Sequence, residues 1–157
     1  MRVVFASTNA GKIREVREIL GDRFDIWTPP MWLGDVETGE TYLENATLKA
    51  LAVHRMIGGA VLAEDSGLEV DALGGAPGIH SARFGRRRGT TFGQPGYEEG
   101  GKAKVLRLLE GVPANVRTAR FRAVAVFVSG SGRIAVGEGV VEGSIADEPR
   151  GSGGFGY

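Results

Sequence analysis

Arg2-Val3-Val4-Phe5-Ala6-Ser7-Thr8-Asn9-Ala10-Gly11-Lys12-Ile13-Arg14-Glu15-Val16-Arg17-Glu18-Ile19-Leu20-Gly21 decides the fold class. After Arg2, its opening residues Val3-Val4-Phe5-Ala6 are a short apolar run led by β-branched valines, the pattern of a buried strand over Arg2 to Ala6. Ser7, Thr8 and Asn9 are good helix N-cap residues, and Ile13, Val16, Ile19 and Leu20 then recur at helical spacing until Gly21 supplies a stop. A buried strand feeding directly into an amphipathic helix is the opening unit of an α/β protein.

The rest of the chain extends that pattern. Asp25 to Thr28 reads as a weak strand closed by Pro29-Pro30, and Met31 to Glu40 as a loop. Thr41-Tyr42-Leu43-Glu44 is a capping box, predicting a helix from there to about Met56, broken by Gly58-Gly59. Ala60 to Ala63 and Leu68 to Leu73 read as two further strands, with Gly74 to Gly78 turn-rich. Arg86 to Gly101 reads as a mobile, glycine-rich surface loop, and Lys102 to Leu109 as a helix. Arg117 to Ser129 and Arg133 to Ile145 alternate around Gly130-Ser131-Gly132, a hairpin signature. Parallel and antiparallel pairing are therefore both expected, in one domain spanning residues 1–157.

Composition removes several function classes. Nineteen basic and nineteen acidic residues balance to zero, against a general nucleic-acid coat or a polybasic membrane binder. With no cysteine there is no thiolate chemistry or disulfide framework, and two histidines, His54 and His80, do not make a His-rich zinc site. The longest apolar run, Ala123 to Val128, has six residues, whereas a membrane-spanning helix needs roughly 20. A soluble, cytoplasmic protein is the expectation. Arg86-Arg87-Arg88 reads as a solvated loop. Gly151-Ser152-Gly153-Gly154-Phe155-Gly156 matches G-x-G-x-x-G, but without the strand–turn–helix context that a dinucleotide site requires.

Three segments can carry chemistry. Ser7 to Lys12 stands at a helix N-terminus, where backbone N–H groups and a lysine suit a phosphate, although plain capping explains the same residues. Ala6 and Ile13 depart from a P-loop, which needs Gly and Ser or Thr at those places. Glu37, with Glu44 and Asn45 beyond it, can hold a hard cation such as Mg²⁺; the capping box alone accounts for Glu44, and an exposed loop acid would account for Glu37. Glu64-Asp65-Ser66-Gly67 follows a buried strand, where α/β proteins bind ligands, but is also an ordinary turn sequence. Neighbouring side chains on an extended chain face opposite ways, so only one of Glu64 and Asp65 is expected to face a site. Together the segments suit metal-assisted attack of water on a phosphoanhydride.

The stretches Ser7 to Lys12, Glu37-Thr38-Gly39, Tyr42-Leu43-Glu44-Asn45-Ala46 with Lys49-Ala50, Glu64 to Gly78 with Ser81-Ala82-Arg83, and Pro149-Arg150-Gly151 with Gly154-Phe155-Gly156-Tyr157 closely resemble, in order, the inosine triphosphate pyrophosphatase family. The resemblance implies an elongated central mixed sheet flanked by helices in two lobes, with a nucleotide cleft between them. It implies Mg²⁺-dependent hydrolysis of ITP, dITP and XTP to the monophosphate and pyrophosphate, usually by a homodimer. By the same resemblance Ser7, Thr8, Asn9, Ala10, Gly11 and Lys12 form the triphosphate cradle. Asp65 is the general base and a metal ligand, and Glu37 the second metal ligand. Ser66 contacts substrate, and Phe155 stacks on the base, with Gly156 and Tyr157 in the same segment. The family usually continues past this tyrosine with Asp-Pro and a region bearing a Lys and a Ser-His-Arg motif. None of these is among the 157 residues, so the chain is expected to be C-terminally incomplete. The alternatives are a non-catalytic nucleotide-binding protein and a related pyrophosphatase for modified pyrimidine nucleotides.

Overall fold

A computed structural model of the chain describes residues 1–29, 36–85, 99–152 and 154–157, and of Glu99 the backbone alone. The opening run forms β1 (Arg2–Phe5), and Asn9 caps α1 (Ala10–Leu20) by accepting from the N–H groups of Gly11 and Lys12 at 2.8 and 3.1 Å. Gly21 ends the helix. After β2 (Asp25–Trp27), α2 (Tyr42–Ile57) starts at the expected capping box: Thr41 Oγ1 accepts from Glu44 N, and Glu44 Oε2 accepts from Thr41 N. Gly58, at φ 65°, stops it in the left-handed conformation that glycine adopts at least cost. Then come β3 (Val61–Val70), α3 (Glu99–Leu108), β4 (Thr118–Val128) and β5 (Ile134–Ser144). The hairpin turn between the last two is closed by Ser129 N to Arg133 O at 2.8 Å.

The sheet order is β2-β1-β3-β4-β5. β1 runs parallel to both β2 and β3, with Val4 opposite Val61 and Phe5 opposite Leu62. With the hairpin this makes a mixed five-stranded α/β sheet, as the sequence leads one to expect. The chain divides into two compact units, one of residues 1–65 and 123–138, the other of 66–122 and 139–157.

In the first unit, side-chain alternation sorts the core into two faces. Ala6, Val61 and Ala63 pack with Ala46, Ala50 and Val53 of α2 and with Val126 and Val128. Val3, Phe5 and Ile26 pack with Ile13, Val16 and Leu20 of α1, joined by Leu62. On β3, odd-numbered residues up to Asp65 therefore face α2, and even-numbered ones face α1. In the second unit Leu68, Val70, Val105, Leu109 and Ala119 form the core, with Phe84, Ile145 and Tyr157 packed on it. Buried Arg117 ties that unit together by donating to the carbonyls of Leu109 and Val112, both at 2.9 Å.

Three expectations are corrected. Asp65-Ser66-Gly67 makes no turn: the two strands expected around it are one ten-residue strand, β3. Burial decides this, since Val61, Ala63, Asp65, Gly67, Leu68 and Val70 are all buried, and a turn would strip the pairing from a segment covered on both sides. Gly100 and Gly101 belong to the first turn of α3 rather than to a loop. The missing side chains are filled by neighbours: a Cβ on Gly101 would lie 2.5 Å from Tyr157 Oη, and one on Gly100 would collide with the backbone of Gly85. Finally, strand ends are shorter than expected: Asp71 to Leu73 is a 3-10 turn after β3, and Arg117, Ser129, Arg133 and Ile145 fall just outside β4 and β5. The loop expected over Met31 to Glu40 lies outside the described residues at 31–35, and the one from Arg86 lies outside them up to residue 98.

Candidate functional site

Because β3 exposes opposite faces at successive residues, Glu64 and Asp65 acquire different partners. Glu64 faces α1, where its Oε2 lies 2.8 Å from Lys12 Nζ. The ammonium is not aligned for a hydrogen bond with that oxygen, so the contact is a charge pair. Asp65 faces α2. Its Oδ2 accepts from Asn45 Nδ2 at 3.2 Å, and its Oδ1 lies 3.6 Å from Lys49 Nζ. Asn45 and Lys49 are four residues apart, which places them on one face of α2. Lys49 Nζ also donates to Glu37 Oε1 at 2.7 Å.

Glu37 is carried by a loop held against the start of α2. Gly39 N donates to Asn45 Oδ1 at 2.8 Å, and Glu40 N to Glu44 Oε2 at 2.7 Å. Glu44 is thus occupied in capping, as the sequence suggests. A Cβ on Gly39 would stand 2.6 Å from Glu44 Cβ, so only glycine lets the loop approach this closely.

Electrostatics follow from burial. Asp65 is 6% exposed. Burial pushes its carboxyl above the ordinary aspartate value; Lys49, Lys12 and the Asn45 hydrogen bond pull the other way, and Glu37 adds to the rise. With all three carboxylates ionised, Glu37, Glu64 and Asp65 outweigh Lys12 and Lys49, leaving a formal charge of −1.

Donor chemistry suits a hard divalent cation. Glu37 Oε1 and Asp65 Oδ1 already converge on a single ammonium, and both are carboxylate oxygens. Among the described residues there is no cluster of three or more His, Cys, Asp or Glu that could hold a metal. A divalent metal here would be held by the two carboxylates of Glu37 and Asp65.

The other sequence candidates lie as follows. In the turn before α1, Asn9 N donates to Ser7 Oγ at 3.2 Å. The N–H groups of Gly11 and Lys12 are held by the Asn9 cap, so an anion reaching them displaces that oxygen. Thr8 and Ala10 are exposed. Ser66 is half-buried in β3, in the second unit, as are Phe155, Gly156 and Tyr157. Tyr157 Oη donates to Ser81 O at 2.9 Å, so its hydroxyl anchors the segment. Lys49 stands in a stretch that carries the family resemblance but has no role assigned from sequence; its signal is the four-residue spacing from Asn45. His54 does the work of a helix end, with Nδ1 2.8 Å from Gly59 O.

A parallel α/β core that gathers lysines and carboxylates beside a helix N-terminus defines a class of proteins that handle phosphate esters and anhydrides. The particular family can be stated: the chain belongs to the Ham1 family, whose profile matches residues 3–157. It is 45% identical to the dITP/XTP pyrophosphatase of Desulforamulus reducens, over 100% of this chain and 77% of that protein. It is 46% identical to that of Geobacillus kaustophilus, over 99% and 74%. Among solved structures, the Staphylococcus aureus Ham1 protein matches with a TM-score of 0.78 and 34% identity, over 100% of this chain and 78% of that one. A HAM1 protein from Coxiella burnetii matches with the same score and identity, over 100% and 79%.

Proposed function

We propose that this chain hydrolyses deaminated purine nucleoside triphosphates (dITP, XTP and ITP) to the monophosphate and pyrophosphate, with Mg²⁺, clearing them from the cytoplasmic nucleotide pool. The convergence of Glu37 and Asp65 on one cation, Lys49, carries the reading. Relatives named dITP/XTP pyrophosphatase that match along essentially the whole chain support it.

In this mechanism Asp65 accepts the proton of the water that attacks the α-phosphorus. Burial raises the proton affinity of this carboxylate in the metal-free chain, and its hydrogen bond to Asn45 orients it. Lys12 leaves Glu64 to meet the phosphates, and Lys49 stays beside the two acids as a counter-charge. Mg²⁺ on Glu37 and Asp65 would neutralise charge on the phosphates. Phe155 stacks on the purine.

The position of bond cleavage tests the proposal. Attack at the α-phosphorus converts dITP to dIMP and pyrophosphate in equal amounts, and a chelator abolishes the reaction until Mg²⁺ is restored. Appearance of dIDP and orthophosphate as first products refutes it. A nucleotide that binds and is never cleaved favours a non-catalytic binding protein.

A further inference from the structure

Asn45 is 1% exposed, on the face of α2 that otherwise presents Ala46, Ala50 and Val53 to the core. A buried amide among apolar neighbours costs stability unless both its ends are bonded. Both are. Oδ1 accepts from Gly39 N at 2.8 Å, and Nδ2 donates to Asp65 Oδ2 at 3.2 Å. The orientation is forced, because a flipped amide would set its NH₂ against a backbone N–H and its oxygen against a carboxylate. The two partners are the loop that carries Glu37 and the acid Asp65 itself.

We infer that Asn45 is a positioning residue for the reaction: its Nδ2 takes Asp65 Oδ2, fixes the rotation of that carboxylate, and leaves Oδ1, on the Lys49 side, open to the reacting groups. The same side chain fixes the loop bearing Glu37 against α2, so both acids are referred to one rigid amide. The inference rests on the reading of Asp65 as the base.

A double-mutant cycle with Asn45→Ala and Asp65→Asn tests it on the purified chain, with melting temperature as the control for folding. Asn45→Ala is expected to lower kcat for dITP about 10- to 100-fold, the size of loss that follows small misplacement of a reacting group. Affinity for a dITP analogue uncleavable between the α- and β-phosphorus should change less than about 3-fold, since no direct nucleotide contact is removed. In the Asp65→Asn background, adding Asn45→Ala should cost clearly less than it does in the parent chain, because only the hold on the Glu37 loop is then left to lose. Equal proportional losses in both backgrounds, or a loss of affinity matching the loss of kcat, would make Asn45 a packing residue and overturn the inference. Near-normal turnover by Asp65→Asn alone would instead refute the base. If Asn45→Ala does not fold, Asn45→Leu runs the same cycle: it keeps most of the volume while deleting the donor to Asp65.

Discussion

Gly101→Ala asks a question with opposite answers from local and tertiary physics. Gly101 is buried in the first turn of α3, and its φ is not in the glycine-favouring region, so alanine meets no backbone strain. Helix propensity alone predicts a gain of about 1 kcal/mol. The added methyl, however, would lie 2.5 Å from Tyr157 Oη and 2.9 Å from Cζ. Overpacking of this kind costs about 1–3 kcal/mol. If the ring swings away, its hydrogen bond to Ser81 O goes as well, at about 0.5–1.5 kcal/mol. The net is a loss of about 0.5–3.5 kcal/mol, and at about 2–4 °C per kcal/mol for a chain of this size the melting temperature falls by about 1–14 °C. If Phe155, two residues away, stacks on the base as proposed, KM for dITP should rise as well. Thermal melts followed by circular dichroism, with Tyr157→Phe as the variant losing only the hydroxyl, measure the stability part. A melting temperature above that of the parent chain would show that propensity wins and that Tyr157 does not depend on the absent side chain.

Asp65→Asn should lower turnover about 10²- to 10⁴-fold by removing the base, while raising the melting temperature at neutral pH. The folded pKa of Asp65 lies above its ordinary value, so ionising it opposes folding; that penalty is complete above the raised pKa and absent below the ordinary one. The stability advantage of the variant should therefore shrink as pH is lowered through that window, as paired melts at several pH values would show. Glu64→Gln should cost much less turnover than Asp65→Asn, because Glu64 faces Lys12 on the other side of β3; comparable losses in steady-state assays would refute that division of labour. Asn9→Ala removes the acceptor for two N–H groups of α1 and should lower stability by about 1 kcal/mol in a thermal melt.

What was legible in the sequence was local. β1, α1 with its Asn9 cap, and the Thr41 capping box each declare themselves within a few residues, because their stabilising contacts span one or two turns. Asp65-Ser66-Gly67 misled for the complementary reason: its turn propensity is local, while the burial that holds it straight comes from elements far away in the chain. Gly100-Gly101 looked like loop because Tyr157, which fills the space of the missing Cβ at Gly101, stands 56 positions later (157 − 101). In the site, strand alternation foretold that Glu64 and Asp65 would part company. It could not foretell that Lys12 would be paired with Glu64, or that Lys49 would join Glu37 to Asp65, since those pairs depend on how α1 and α2 dock on the sheet.

The continuity of β3 also bears on how such a protein would fail when heated. An acid on a loop can be lost to a local opening that leaves the remainder intact, so inactivation runs ahead of melting. Asp65 instead sits within a strand that lies between β1 and β4 in the sheet order. Amide protons in such central strands exchange with solvent only through the largest openings of the molecule. Loss of the acid then belongs to the main unfolding transition, and storage life is governed by the rate at which the sheet comes apart, with fraying at its edges of little consequence to the chemistry.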